Sequence, residues 1–140
     1  MKIALVSCVK TKRTEATRAR DLYISPLFRG LRRYAETHAD RWYILSAKHG
    51  LLDPLTIVEP YEQTLNRLSK EQRIAWADSV KADLTLRTPS DADFIVLAGK
   101  SYREDIESFL RERGKVEVPL KGLSFGRQLT WLKHHGMLTP

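Results

Sequence analysis

The stretch Trp42-Tyr43-Ile44-Leu45-Ser46-Ala47-Lys48-His49-Gly50-Leu51-Leu52 changes character within one residue, and that break limits the architectures open to the chain. Its first half is aromatic and aliphatic at consecutive positions, as in a strand covered on both faces. Its second half is small, polar and cationic, with Gly50 available for a turn at positive φ. A strand built this way delivers Ser46, Lys48 and His49 to the carboxyl edge of a sheet. In open α/β sheets that edge is where ligands bind.

The same break recurs along the chain. Residues 2–9 are apolar from Ile3 until Ser7-Cys8, residues 92–98 read as a buried strand ending at Gly99, and residues 116–120 lead into Lys121-Gly122. Helical signals lie between these segments. Ser25 is a favoured N-cap, Pro26 suits the first helical position, and Leu27, Leu31, Tyr34 and His38 make a 3.6-residue stripe. Ser69 and Gln72 form a capping box, opening a helix to about residue 86. Ser101 and Glu104 suggest a second box, for a helix stopping at Gly114, and a last helix follows Ser124. Alternating strands and helices predict one α/β domain over residues 1–140. Its sheet is mainly parallel, of four or more strands, with helices on both faces.

Composition narrows the partners. Against 17 Asp and Glu stand 24 Lys and Arg, a formal net charge of +7, so an anionic partner such as a nucleotide or nucleic acid is expected. Much of the excess sits at Lys10, Lys12, Arg13, Arg18, Arg20, Arg29, Arg32 and Arg33. Cys8 is the one cysteine, which excludes an internal disulfide and a Cys-rich zinc site; His134-His135 are too isolated for a metal. No P-loop and no G-x-G-x-x-G is present, so no metal or cofactor is expected. The chain has no apolar run approaching the ~20 residues of a membrane span. Its start lacks a secretory h-region, so a cytoplasmic protein is expected, of open oligomeric state.

In a parallel sheet the strand ends lie together, and their side chains converge. Ser7, Cys8, Lys10 and Lys12 follow the first strand, Ser46, Lys48 and His49 the next, and Gly99 and Tyr102 the third. Tyr23 and Ser25 lead into the first long helix, and Arg127 lies in the first turn of the last. Helix N-termini near Ser25, Ser101 and Ser124 add oriented N–H donors. Glu59 and Tyr61 flank Pro60, which fixes the local path and holds a carboxylate near a phenol. These residues predict a pocket for an anionic or polar ligand. The Lys48 ammonium is expected to share it with Ser7, Ser46 or Lys10.

The ordered segments SCVKTK, DLYISPLF, ILSAKHGLL, EPYEQTL, LAGKSY and PLKGLSFGRQLTWL span nearly the whole chain. In these the sequence resembles a bacterial and phage family of unknown function that is often grouped with the peroxide-stress protein YaaA. YaaA-like proteins are larger and carry a helix-hairpin-helix DNA-binding element that has no counterpart segment here. Residues 7–12 are also similar to the start of the core domain of archaeosine synthase, which looks like the uracil-DNA-glycosylase fold. This resemblance implies nucleobase or nucleic-acid chemistry.

Three functions follow as expectations. The first is an enzyme processing a nucleotide or nucleic acid, as an N-glycosidase or base transferase. Glu59 would be its carboxylate, Tyr61 or Tyr102 its stacking group, and Lys48 or His49 its donor to the departing base. The second is a non-catalytic DNA- or RNA-binding protein that uses the basic segment from Lys10 to Arg33. The third is covalent catalysis by Cys8 with His49 as base, against which stands Cys8 as a core thiol, no third orienting group being evident.

Overall fold

The computed structural model describes residues 1–9 and 12–138. In chain order its strands are β1 (Lys2–Ser7), β2 (Thr17–Arg18), β3 (Arg41–Ser46), β4 (Gly50–Leu52), β5 (Ile57–Val58), β6 (Asp93–Leu97) and β7 (Val116–Glu117). The helices are α1 (Ala19–Leu22), α2 (Pro26–His38), α3 (Lys70–Arg87), α4 (Lys100–Arg103), α5 (Glu107–Arg113) and α6 (Phe125–His134). The main sheet has the order β4-β3-β1-β6-β7, and β2 pairs with β5 in a separate two-stranded ribbon.

The central strand, β1, is parallel to both neighbours, with Leu5 level with Tyr43 on one side and Val96 on the other. Ile3, Ala4, Leu5 and Val6 are wholly buried, which explains why this segment is apolar at every position rather than at alternate ones. From β1 the chain steps to β3 through α2, then back past β1 to β6 through α3. Right-handed crossovers running in opposite directions put α2 and α3 on opposite faces of the sheet. This is the α/β architecture expected from the sequence, mainly parallel and covered on both faces.

Local chemistry fixes the helix ends. Phe28 N donates to Ser25 Oγ at 3.1 Å, and Pro26 begins α2 where its missing N–H costs nothing. At α3 both halves of the capping box are made, Gln72 N to Ser69 Oγ at 3.1 Å and Ser69 N to Gln72 Oε1 at 2.9 Å. Arg113 donates to the carbonyls of Thr88 and Pro89 just past the end of α3, where the helix dipole favours a cation. The last helix, α6, lies on α2. A Cβ at Gly30 would stand 2.8 Å from Leu132 Cδ1 and 3.0 Å from Leu138 Cδ2, so glycine lets the two helices meet.

The structure corrects several details. Ser101 does not cap a helix: Gly99 is the N-cap of α4, and Ser101 Oγ donates to Asn66 Oδ1 at 2.9 Å. The expected helix to Gly114 is two pieces, α4 and α5, separated by a turn. Gly114 is extended rather than left-handed; glycine is needed there because a Cβ would lie 2.3 Å from the Ala92 carbonyl oxygen. The strand expected over residues 116–120 pairs only at Val116 and Glu117. Gly50, at φ 66°, opens β4, an antiparallel edge strand that the polar turn before it had obscured.

Candidate functional site

The sheet reverses its winding between β1 and β6, the first and third strands of the parallel set. Loops leaving these two carboxyl ends diverge to opposite faces, and a gap at that point is where doubly wound sheets take their ligands. A cavity of about 730 Å³ opens there. Its floor is Ser7, Cys8 and Val9 at the end of β1, and Leu97, Ala98 and Gly99 at the end of β6. Leu27 and Leu31 of α2 form an apolar wall. Lys100, Arg103 and Lys121 supply the charge, and no Asp or Glu lines the cavity among the described residues.

The rim is built from short polar segments. Gly122, at φ 79°, turns the chain into α6, where Arg127 N donates to Ser124 Oγ at 3.4 Å. A Cβ at Gly99 or Gly122 would touch nothing within 4 Å, so bare backbone faces open space at both positions. Arg103 is mostly buried, 4.0 Å from the Glu107 carboxylate, yet its Nε is buried without a hydrogen-bond partner. Gln128 Nε2 donates to Leu123 O at 3.0 Å, which leaves its Oε1 as the free acceptor. Cys8 Sγ lies 3.4 Å from the Tyr102 hydroxyl. Burial raises the Tyr102 pKa, with the charge of Cys8 acting the same way, so Tyr102 is a protonated hydroxyl at neutral pH.

The other side of β1 is closed. Tyr61 Oη is hydrogen-bonded to Tyr23 Oη and, at 2.7 Å, to Ser46 Oγ, which also accepts from His49 N at 3.0 Å. Burial raises the pKa values of Tyr23 and Tyr61, keeping both as neutral hydroxyls. The Lys12 ammonium sits 4.6 Å from the centre of the Tyr61 ring, a cation–π contact over this plug. Burial lowers the Lys12 pKa, while Cys8 and Glu62 act in the opposite direction. Trp76 touches groups on both sides. Its Nε1 donates to Ser46 O at 2.8 Å, and its ring meets that of Tyr102 edge-on at 5.8 Å.

The expected site residues therefore divide. Ser7, Cys8, Gly99 and Tyr102 line the open crevice. Tyr23, Ser46 and Tyr61 are locked in the buried plug, with Lys12 above them. Ser25 is spent on capping α2, Arg127 is an exposed side chain on α6, and Lys10 lies outside the described residues. Lys48 and His49 do not join Ser7. Both are exposed and line a separate hollow of about 420 Å³ with Gln63, Gln72 and Trp76. Burial, and then the charge of Lys48, lowers the His49 pKa. Glu59 is exposed and lines neither cavity. The partner found for Cys8 is Tyr102 rather than His49. Sequence reasoning missed Asn66, Arg103, Lys121 and Gln128, although the Lys-Gly-Leu-Ser turn before α6 signalled the rim.

Among the described residues no cluster of His, Cys, Asp and Glu could hold a metal ion. No described helix is long and apolar enough to cross a membrane.

Fold and crevice together define a doubly wound α/β protein with a cationic cleft at its switch point. Residues 3–134 match a family of unknown function (DUF6884), and the chain belongs to that family. It is also 32% identical over 135 residues, 89% of each chain, to the "Uncharacterized protein YfjM" of Bacillus subtilis (strain 168). No solved structure matches it.

Proposed function

We propose that the crevice between β1 and β6 binds a nucleotide or a nucleotide unit of a nucleic acid. The observation that carries this reading is the charge of the crevice. Three cations reach a cavity at the switch point, no carboxylate lines it among the described residues, and only Arg103 is answered by an acid, Glu107, from outside the lining. A phosphate at the rim meets the exposed Lys100 and Lys121 and gains from the N–H groups opening α6. The apolar wall of Leu27 and Leu31, with the Tyr102 ring, suits a flat base, and the free acceptor of Gln128 suits its amino edge. The likeness of residues 7–12 to the archaeosine synthase core domain leans the same way, as does the grouping of related sequences with YaaA.

Processing of that ligand, by N-glycosidase or base-transferase chemistry, needs a carboxylate to meet positive charge developing on the sugar. That group has to come from outside the crevice lining, and Glu59, on an exposed segment, is the candidate from the sequence. The lack of a lining carboxylate among the described residues favours a second reading, binding without turnover.

Calorimetric titration with nucleoside monophosphates at low salt tests the binding. Lys121→Gln, an exposed change, should weaken it by roughly ten- to a hundredfold, as loss of a charge-assisted hydrogen bond worth ~1.5–3 kcal/mol requires. No binding of any nucleotide to the unmodified protein refutes the reading. Chromatography for released base, with Glu59→Gln as control, separates the two outcomes: base released only with Glu59 intact means an enzyme, none means a binder.

A further inference from the structure

A second cavity, of about 570 Å³, runs along the outer side of α2 and is lined by Pro26, Arg29, Arg32, Arg33, Met137 and Leu138 with Glu36. Its arginines are not equivalent. Arg32 is consumed internally, 3.0 Å from Asp21 Oδ1 and 3.1 Å from Glu36 Oε1. Arg29 and Arg33 are exposed, and their guanidinium groups have no hydrogen-bond or ion-pair partner among the described residues. They are one helical turn apart, about 6 Å along the axis. Two unpaired guanidinium groups at that interval stand over a floor of proline, methionine and leucine.

We propose that this groove holds the phosphodiester backbone of a nucleic-acid strand, one nucleotide of which enters the crevice between β1 and β6. The inference rests on the function proposed above and names its ligand as a polynucleotide rather than a free nucleotide. Geometry links the two places. Leu27 and Leu31 of α2 face the crevice, whereas Arg29 and Arg33 of the same helix face the groove. A helix is about 10–12 Å across, a distance a few nucleotides span. The mixture of lining groups also favours a nucleic acid. Phosphates recur at regular intervals to meet both guanidinium groups, and the sugars and bases between them offer apolar faces to Met137 and Leu138. An acidic peptide satisfies the charge but has no comparable use for that floor.

The test compares deoxycytidine monophosphate with short oligodeoxycytidylate, each titrated over a range of salt concentrations. In the double variant Arg29→Gln/Arg33→Gln, affinity for the oligonucleotide should fall at least tenfold. The slope of log affinity against log salt should become shallower by about 1.4, the release of counterions from two single-strand phosphates. Monophosphate affinity should not change, and Arg29→Lys/Arg33→Lys should restore the slope. Unchanged oligonucleotide affinity and slope in the glutamine variant overturn the proposal. So does polyglutamate that binds as tightly as the oligonucleotide at equal charge. If the monophosphate does not bind while the oligonucleotide does, with an arginine-dependent slope, the groove stands and the crevice reading falls.

Discussion

On one side of β1 the carboxyl edge of the sheet is filled, and on the other it is open. Toward β3, the connecting segments bring Tyr23 and Tyr61 over the strand ends, where they close on Ser46 through a chain of hydroxyls. Toward β6, equally short polar strand ends border a cavity of about 730 Å³. Strand-end chemistry is similar in the two places, so composition does not decide which becomes a site. Connectivity does. Between β1 and β3 the connecting chain passes over the edge and packs it, whereas between β1 and β6 the chain leaves toward opposite faces and nothing crosses.

Removing Trp76, which contacts both sides, tests this contrast most severely. Trp76 is buried, holds Ser46 through its indole N–H and supports the Tyr102 ring. Trp76→Ala should cost about 3–5 kcal/mol in urea denaturation and should also weaken nucleotide binding, since Tyr102 loses its support. If stability falls and binding does not, the crevice is independent of the plug.

A smaller change sharpens the comparison. Tyr61→Phe leaves the hydroxyls of Tyr23 and Ser46 short of a partner, at a cost of about 1–3 kcal/mol, while crevice affinity should stay within twofold of the parent. The same variant has a signature in alkali. Tyr23 and Tyr61 have folded pKa values above the ordinary 10.0, so the unfolded chain loses these protons first. Stability is then complete below about pH 10 and falls as pH rises, by up to about 1.4 kcal/mol per pH unit for each tyrosine. Tyr61→Phe should make that decline shallower in urea melts above pH 10; an unchanged slope means that Tyr61 is not buried as described.

The smallest effect belongs to His49, whose pKa lies below the ordinary 6.5. As pH drops past that value the unfolded chain takes up the proton first, so the stability present above pH 6.5 is lost on acidification. The loss is slight because the ring is exposed, and His49→Gln should abolish it without affecting the crevice.

Much of this was legible in the sequence. Residues 3–6, 42–45 and 94–98 are apolar at every position because helices cover both faces, and that pattern needs no partner to be recognised. Caps at Ser25 and Ser69 were equally plain, since each is a bond between residues three apart. Lys48 and His49 misled because a strand end gives a side chain's neighbourhood along the chain and not which side of the sheet its loop takes. Arg103 and Lys121 were invisible for the same reason. They join Ser7 only through the docking of segments remote from it in sequence. The Ser101 box failed because its hydroxyl found Asn66, a partner no local pattern encodes.

The way α6 rests on α2 at Gly30 has a kinetic consequence. Ser7 and Cys8 come from near the beginning of the chain, and Ser124 and Gln128 from near its end, yet they share one cavity. Bringing such distant segments together carries the largest loop-closure cost in the fold, so the crevice is complete only once the final helix has docked. A ligand that touches both floor and rim then acts as a clasp on the C-terminal segment. Its occupancy is linked to the closed form by mass action, and local opening of that helix, with access for a protease, becomes rarer as the crevice fills.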